Sequence, residues 1–294
     1  MVFYFFLIFV FVTLFIYRFL PKKAYFCVMG IIIILAFLII ALFALIPIMS
    51  KKSVGAPAYV PPKLEGNRPF AEQNKIKENQ KYYESLVLQS PYNVNDWLNI
   101  HPGEENLGPY GEFLTIKQIV KACGETQSFF KILNNIYLYS SDGTTEVDIV
   151  LIHETGVYVF ESKNYAGFIF GSAEQKEWTQ SLNPREKHRF YNPLWQNRGH
   201  IAALKRVLGQ NLQYYSFIVF SERCQLKKVP PDNASTFILR RHNLRDTLVK
   251  KLCTTPTALS IDQIEQLYQK LVPFSNVSEA EKESHIQRVN GKKN

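Results

Sequence analysis

Two apolar segments joined by a three-residue connection constrain this fold more than anything else in the chain. Thr145–His153 and Val157–Lys163 carry Ile149, Val150, Leu151, Ile152 and Val157, Tyr158, Val159, Phe160, apolar on both faces. Strands of that kind lie at the centre of a sheet with helices above and below. Glu154-Thr155-Gly156 leaves room only for a tight turn between them. A two-residue hairpin centred on Glu154-Thr155 sets Asp148 directly opposite Glu161, with Cβ atoms roughly 4.5–5.5 Å apart. A bulge at Gly156 would offset that pairing.

Two carboxylates facing each other inside a sheet repel, and burial adds to the cost. They must share a proton or hold a cation. A hard divalent ion with oxygen ligands is the natural resolution. Lys163 lies two residues past Glu161 and so points to the same face. An amine there can orient or deprotonate an attacking water, or steady charge on a phosphate. The Ser162 carbonyl offers a further ligand. Glu-x-Lys alone is usually a solvated surface pattern. Its position at the end of an apolar strand, facing Asp148, favours a site. Glu146 shares the face of Asp148 and reads as a strand-end surface acid or an additional ligand.

Other elements follow from periodicity and turn residues. Gly111–Cys123 has helical spacing, with Gly124 where a C-terminal cap belongs. Phe130–Tyr139 is a strand, and Ser140–Gly143 its hairpin turn. Gly167–Trp178 suggests a short hairpin. Pro193–Leu208, Leu244–Leu252 and Ile261–Leu271 read as helices, Tyr214–Phe220 and Thr236–Leu239 as strands. The order is α/β. Residues 71–89 suit a surface helix, and 90–109 read as loop with Trp97 as a packing anchor.

The first 50 residues differ from the rest. They hold three charges, Arg18, Lys22 and Lys23, and Ala24–Met49 holds none. A membrane-spanning helix needs about 20 apolar residues, so two spans are expected before the soluble part. Cys123, Cys224 and Cys253 show no metal-like spacing and suggest free thiols in a reducing compartment. The soluble domain is therefore expected in the cytoplasm, although the three positives between the spans point the other way.

Net charge is +9, but the excess is local. Residues 185–251 carry 14 Lys/Arg against 4 Asp/Glu, whereas 51–184 carry 12 against 16. Such a block suits a polyanion, either nucleic acid or anionic lipid headgroups.

Gly108-Pro-Tyr-Gly111-Glu112, Thr145-Glu-Val-Asp148, Gly156-Val-Tyr-Val-Phe-Glu161-Ser-Lys163-Asn164-Tyr-Ala-Gly167, Trp178 and Asn192-Pro193-Leu-Trp-Gln196-Asn197 together resemble the nuclease-related domain (NERD) family. That family is similar to the PD-(D/E)XK restriction-endonuclease-like nucleases. The resemblance implies a restriction-endonuclease-like αβββαβ core with a central mixed sheet over 108–220. Two transmembrane helices (1–50) and a linker with an accessory helix (51–107) would precede it. A C-terminal strand and helices (221–275) and a mobile polar tail (276–294) would follow.

The resemblance also implies an Mg²⁺- or Mn²⁺-dependent phosphodiesterase acting on nucleic acid, with DNA the default. It maps the metal acids onto Asp148 and Glu161 and the catalytic lysine onto Lys163. Glu112 becomes a further ligand, where position alone suggests an ordinary first-turn acid. Gln196 becomes a phosphate contact or a helix-orienting residue. The superfamily's proline beside the first acid is absent, since the sequence there reads Glu-Val-Asp. Arg198, Lys205 and Arg206 on the following helix, with Arg240 and Arg241, are candidate nucleic-acid contacts. His200 reads as a packing residue, and Trp178 as a core or lid aromatic. Two other readings compete: a catalytically inactive nucleic-acid-binding or membrane-scaffolding module, and a lipid-surface protein.

Overall fold

A computed structural model describes residues 68–94, 101, 103–140 and 143–291. The two expected spans and Trp97 lie outside these residues. Among the described residues no helix is long and apolar enough to cross a membrane.

Two helices lead in, α1 (Phe70–Gln89) and α2 (Glu104–Thr126). Three strands follow, β1 (Phe130–Ser140), β2 (Gly143–His153) and β3 (Gly156–Lys163). A second set of short strands comes next, β4 (Gly167–Phe170), β5 (Glu177–Ser181) and β6 (Lys187–Tyr191). Then come α3 (Pro193–Leu208), β7 (Tyr214–Phe220), β8 (Cys224–Lys228) and β9 (Thr236–Arg240). Helices α4 (Leu244–Thr254), α5 (Ile261–Leu271) and α6 (Glu279–Gly291) close the chain.

The main sheet runs β1-β2-β3-β7-β9. Its first three strands are antiparallel, and β3, β7 and β9 are parallel. This is the expected mixed sheet and αβββαβ order. One face packs Ile149, Leu151, Tyr158 and Phe160 against α2 and α4, and the other packs Val150, Ile152, Val157 and Val159 against α3 and α5. That double cover is why both strands are apolar throughout. Helix α5 shows the logic locally. Ser260 and Gln263 form a capping box, and Ile261, Ile264, Leu267 and Leu271 are buried as one stripe. Each such side chain contributes about 1.5–3 kcal/mol.

Four expectations need correction. Gly124 does not cap α2; it lies within the last turn, against Gln80, and Gln127 takes the left-handed cap with φ 51°. Helix α2 also starts earlier, at Glu104, and runs through Pro109. A Gly-Pro pair reads as loop from sequence, and here the helix runs through it at the cost of the bond that an N–H at position 109 would make one turn back. The hairpin expected after Gly167 is there as the antiparallel pair β4–β5, but it is only part of a four-stranded sheet, β6-β5-β4-β8, completed by a strand from beyond the core. The tail expected to be mobile contains α6, where His285 is buried beside Thr144 and Arg288 donates to Thr144 Oγ1 at 2.9 Å.

Candidate active site

The hairpin register is the one derived from the turn. His153 pairs with Gly156, and the ladder runs to Ile149 opposite Phe160. Asp148 and Glu161 come next, and there backbone pairing stops. Instead the Ser162 N–H donates to Asp148 Oδ2 at 2.8 Å. The β1–β2 ladder is also interrupted at this level, between Asn134–Ile149 and Ile136–Val147. Asn135 is left-handed there (φ 51°). The interruption switches faces: Ile149 belongs to one core, while Val147 and Val150 both belong to the other. Asp148 therefore sits at a break in two ladders, which frees it from the sheet's regular alternation.

Glu161 is fully buried. By parity with Val157 and Val159 it faces α3. Lys163 Nζ lies 2.6 Å from Glu161 Oε1, and His200 Nδ1 lies 3.4 Å from Oε2. The Lys163 contact is a close ion pair, whereas the His200 contact is too long and misaligned for a hydrogen bond. Lys163 Nζ also donates to Gln196 Oε1 at 3.2 Å.

The titrations follow from this crowding. Burial and the Glu161 charge push the Asp148 carboxyl well above its ordinary range. Burial, helped by Glu146, pushes Glu112 up to about 7. Burial opposes charge on Lys163, but Glu161, Tyr165 and Asp148 outweigh it and raise the ammonium above its usual value. Lys163 is thus a fixed cation here and does not accept a proton. Burial lowers His200 and leaves its imidazole neutral at physiological pH.

Metal-free stability should fall as pH rises through this window. The folded state holds the Glu112 proton more tightly than the unfolded chain, so the benefit is complete below about 4.5 and lost by about 7. Thermal melts in EDTA from pH 5 to 8 should show the decline, and Glu112→Gln should flatten it. A wild-type midpoint that rises over that range would contradict the assignment.

Several residues of the family pattern work by positioning. Gly111 brings α2 against the end of β3, where a Cβ would meet Asn164 Cβ at 2.7 Å. That approach carries Glu112 into the field of Asp148 and Glu161. Asn192 caps α3 by accepting from Leu194 N–H at 2.9 Å. Its amide also donates to the carbonyls of Ser172, Ala173 and Gln175. Asn197 ties α3 to the sheet, donating to the Val159 carbonyl and Ser216 Oγ at 2.9 and 2.8 Å. Gln196 is aimed by these clamps. Asn192→Ala should cost about 2–4 kcal/mol, from the lost cap and the orphaned carbonyls. Urea unfolding would show it, and a loss under about 0.5 kcal/mol would count against the clamp.

Other sequence candidates fall outside the cluster. Glu146 is the exception: its charge helps to raise Glu112, and its Oε1 accepts from Tyr137 Oη at 2.7 Å. Trp178 is a core residue, fully buried and stacked on Phe220. Arg198 is exposed on α3. Lys205 lies 5.4 Å over the Tyr214 ring, and Arg206 donates to the Tyr139 carbonyl. Arg240 ends β9 and is partly buried. Arg241 is a correction: it is buried, 3.0 Å from Glu222 and 3.3 Å from Asn164 Oδ1, so it braces the loop after Lys163 and cannot reach a ligand. His200 is buried, as a packing residue would be, and lies one turn after Gln196 with its Nδ1 3.4 Å from Glu161 Oε2.

The donor chemistry suits a hard divalent cation. Glu161, Asp148 and Glu112 bring carboxylate oxygens into one electrostatic field. Among the described residues no group of three or more acidic, histidine or cysteine side chains is arranged to hold a metal ion. A cavity of about 940 Å³ lies elsewhere, lined by Lys77, Gln80 and Gly124 and by none of these acids.

The nuclease-related domain profile matches residues 107–221, the stretch that holds Glu112, Asp148, Glu161, Lys163 and Gln196. An uncharacterized protein of Bacillus anthracis is 30% identical over 186 residues, covering 63% of this chain and 84% of its own length. The chain belongs to the NERD family. No solved structure matches it. Membership carries a nuclease-like function and an association with nucleic acid. In this NERD protein the Glu161–Lys163 pair, Asp148 and Gln196 converge at one end of the main sheet.

Proposed function

We propose that the chain is an Mg²⁺- or Mn²⁺-dependent nuclease that hydrolyses DNA phosphodiester bonds at Asp148, Glu161 and Lys163. Its apolar residues 1–50 tether it to a membrane, with the nuclease domain on the cytoplasmic side. One observation carries the catalytic reading. Two buried acids, Glu161 and Asp148, share the field of one charged lysine, which lies 2.6 Å from Glu161. One ammonium leaves a negative charge over, and a divalent cation would balance it.

Asp148, Glu161 and Glu112 would hold the cation. When bound it supplies Lewis acidity and a water of lowered pKa. The chain's own residues do the rest. Lys163 presents a permanent ammonium toward the charge that grows on the phosphoryl oxygens. Gln196 fixes that ammonium through its carbonyl oxygen. The α3 clamps at Asn192 and Asn197 hold Gln196 in place.

A plasmid-nicking assay of the full chain in detergent tests the proposal. Nicking is expected with Mg²⁺ or Mn²⁺, and none with EDTA or in Asp148→Ala. If no condition yields nicks and Mg²⁺ leaves the melting temperature unchanged, an inactive nucleic-acid-binding or scaffolding module remains.

A further inference from the structure

The small sheet β6-β5-β4-β8 begins four residues after Lys163, and its two faces differ. Ile169, Trp178, Phe190 and Leu226 belong to a buried cluster. Phe168 and Phe170, at alternate positions of β4, point away from it and are 37% and 38% exposed. Side chains on the same face include Lys187 and Arg189, which the register places opposite Ser181 and Thr179 on β5. A bulge in the β4–β8 pairing sets Lys228 beside Phe170. It also leaves Lys227 with its ammonium 5.0 Å over the Phe168 ring. Among the described residues no carboxylate lies within ion-pair distance of Lys187, Lys227 or Lys228, and Arg189 meets Glu177 at 3.5 Å in an exposed pair.

We propose that this face is a binding track for an unpaired strand of nucleic acid leading to the active site, with Phe168 and Phe170 stacking on bases or sugars and the flanking lysines meeting phosphates. Two exposed aromatic rings interleaved with lysines that have no carboxylate partner among the described residues suit single-strand binding. An aliphatic docking surface would lack the cations, and a purely electrostatic one would lack the rings. The distance is short enough. Phe168 follows Lys163 by five residues, so their Cα atoms are at most about 18 Å apart. Gly167 lets β4 start tight against β5, because its φ of 79° and bare Cα fit where a Cβ would meet the Ser181 carbonyl at 2.4 Å. The track also gives part of the basic excess of residues 185–251 a location.

This inference rests on the nuclease reading and is tested apart from it. Fluorescence anisotropy would use the full chain with Asp148→Asn, to suppress cutting, and a DNA duplex with or without a single-stranded tail. Phe168→Leu/Phe170→Leu should weaken binding of the tailed duplex by about 10-fold or more and leave the blunt duplex within about 3-fold. Phe168→Tyr/Phe170→Tyr should restore it, and both pairs should melt like the parent. Lys227→Ala/Lys228→Ala should weaken binding of both probes and flatten the salt dependence. Equal losses on tailed and blunt DNA in the Leu pair would overturn the stacking role. No loss would overturn the track. Loss of binding only to phosphatidylserine vesicles would assign the face to lipid. If the Asp148→Asn chain bound neither DNA, the nuclease reading would fall as well.

Discussion

Lys163→Met is expected to destabilise the metal-free protein by about 3–5 kcal/mol, because it strands a buried carboxylate without its cation. Glu161 is buried completely and Lys163 is 17% exposed, so solvent can do little for the survivor. For a domain of this size the midpoint should drop by roughly 10 °C in EDTA. The cost belongs to the pair rather than to the lysine. Glu161→Gln added to Lys163→Met should therefore recover most of it, giving a strongly non-additive cycle. Saturating Mg²⁺ should restore part of the loss in the single variant by supplying another cation. Additive effects in the cycle would show that Lys163 acts through packing alone. Cleavage should be absent in both variants.

Glu161→Gln alone should reduce nicking by about 10²–10³-fold, the scale seen when a group that stabilises the reacting charge is removed. The fold should survive. The amide has the same shape, and it can donate to His200 Nδ1, which now lacks a hydrogen-bond partner. Removing the Glu161 charge also relieves one cause of the high Asp148 pKa, so the carboxyl should titrate lower. An NMR titration of the Asp148 carboxyl reads that shift. Thermal midpoints with and without Mg²⁺ read the cation: wild type should gain with the ion, and the variant should not. A variant that cleaves like wild type, or gains as much from Mg²⁺, would remove Glu161 from the site.

Much of this architecture was legible in the chain because its signals are local. The Glu154-Thr155 turn and the apolar runs on either side determined the hairpin, its register as far as Ile149 and Phe160, and its burial. Glu161 and Lys163 shared a face by strand parity alone. Asn192-Pro193 announced the start of α3, since a side-chain cap followed by proline needs nothing beyond its own segment. Asp148 and Glu161 were expected to face each other as a ladder pair. The ladder ends one step earlier, because Asn135 and Asp148 leave the regular pattern together. No pattern in either strand records that break.

What only the tertiary structure decided is what depends on distant partners. Arg241 looked like any surface arginine until Glu222 and Asn164 enclosed it. The strand that completes the small sheet, β8, lies more than 50 residues from β4, and its bulge turns two adjacent lysines toward two phenylalanines. The chain's own order thus set each element and the chemistry it carries. The meeting of α2, β2, β3 and α3 set which charges must coexist in one buried space, since desolvation and repulsion exist only once those groups share it.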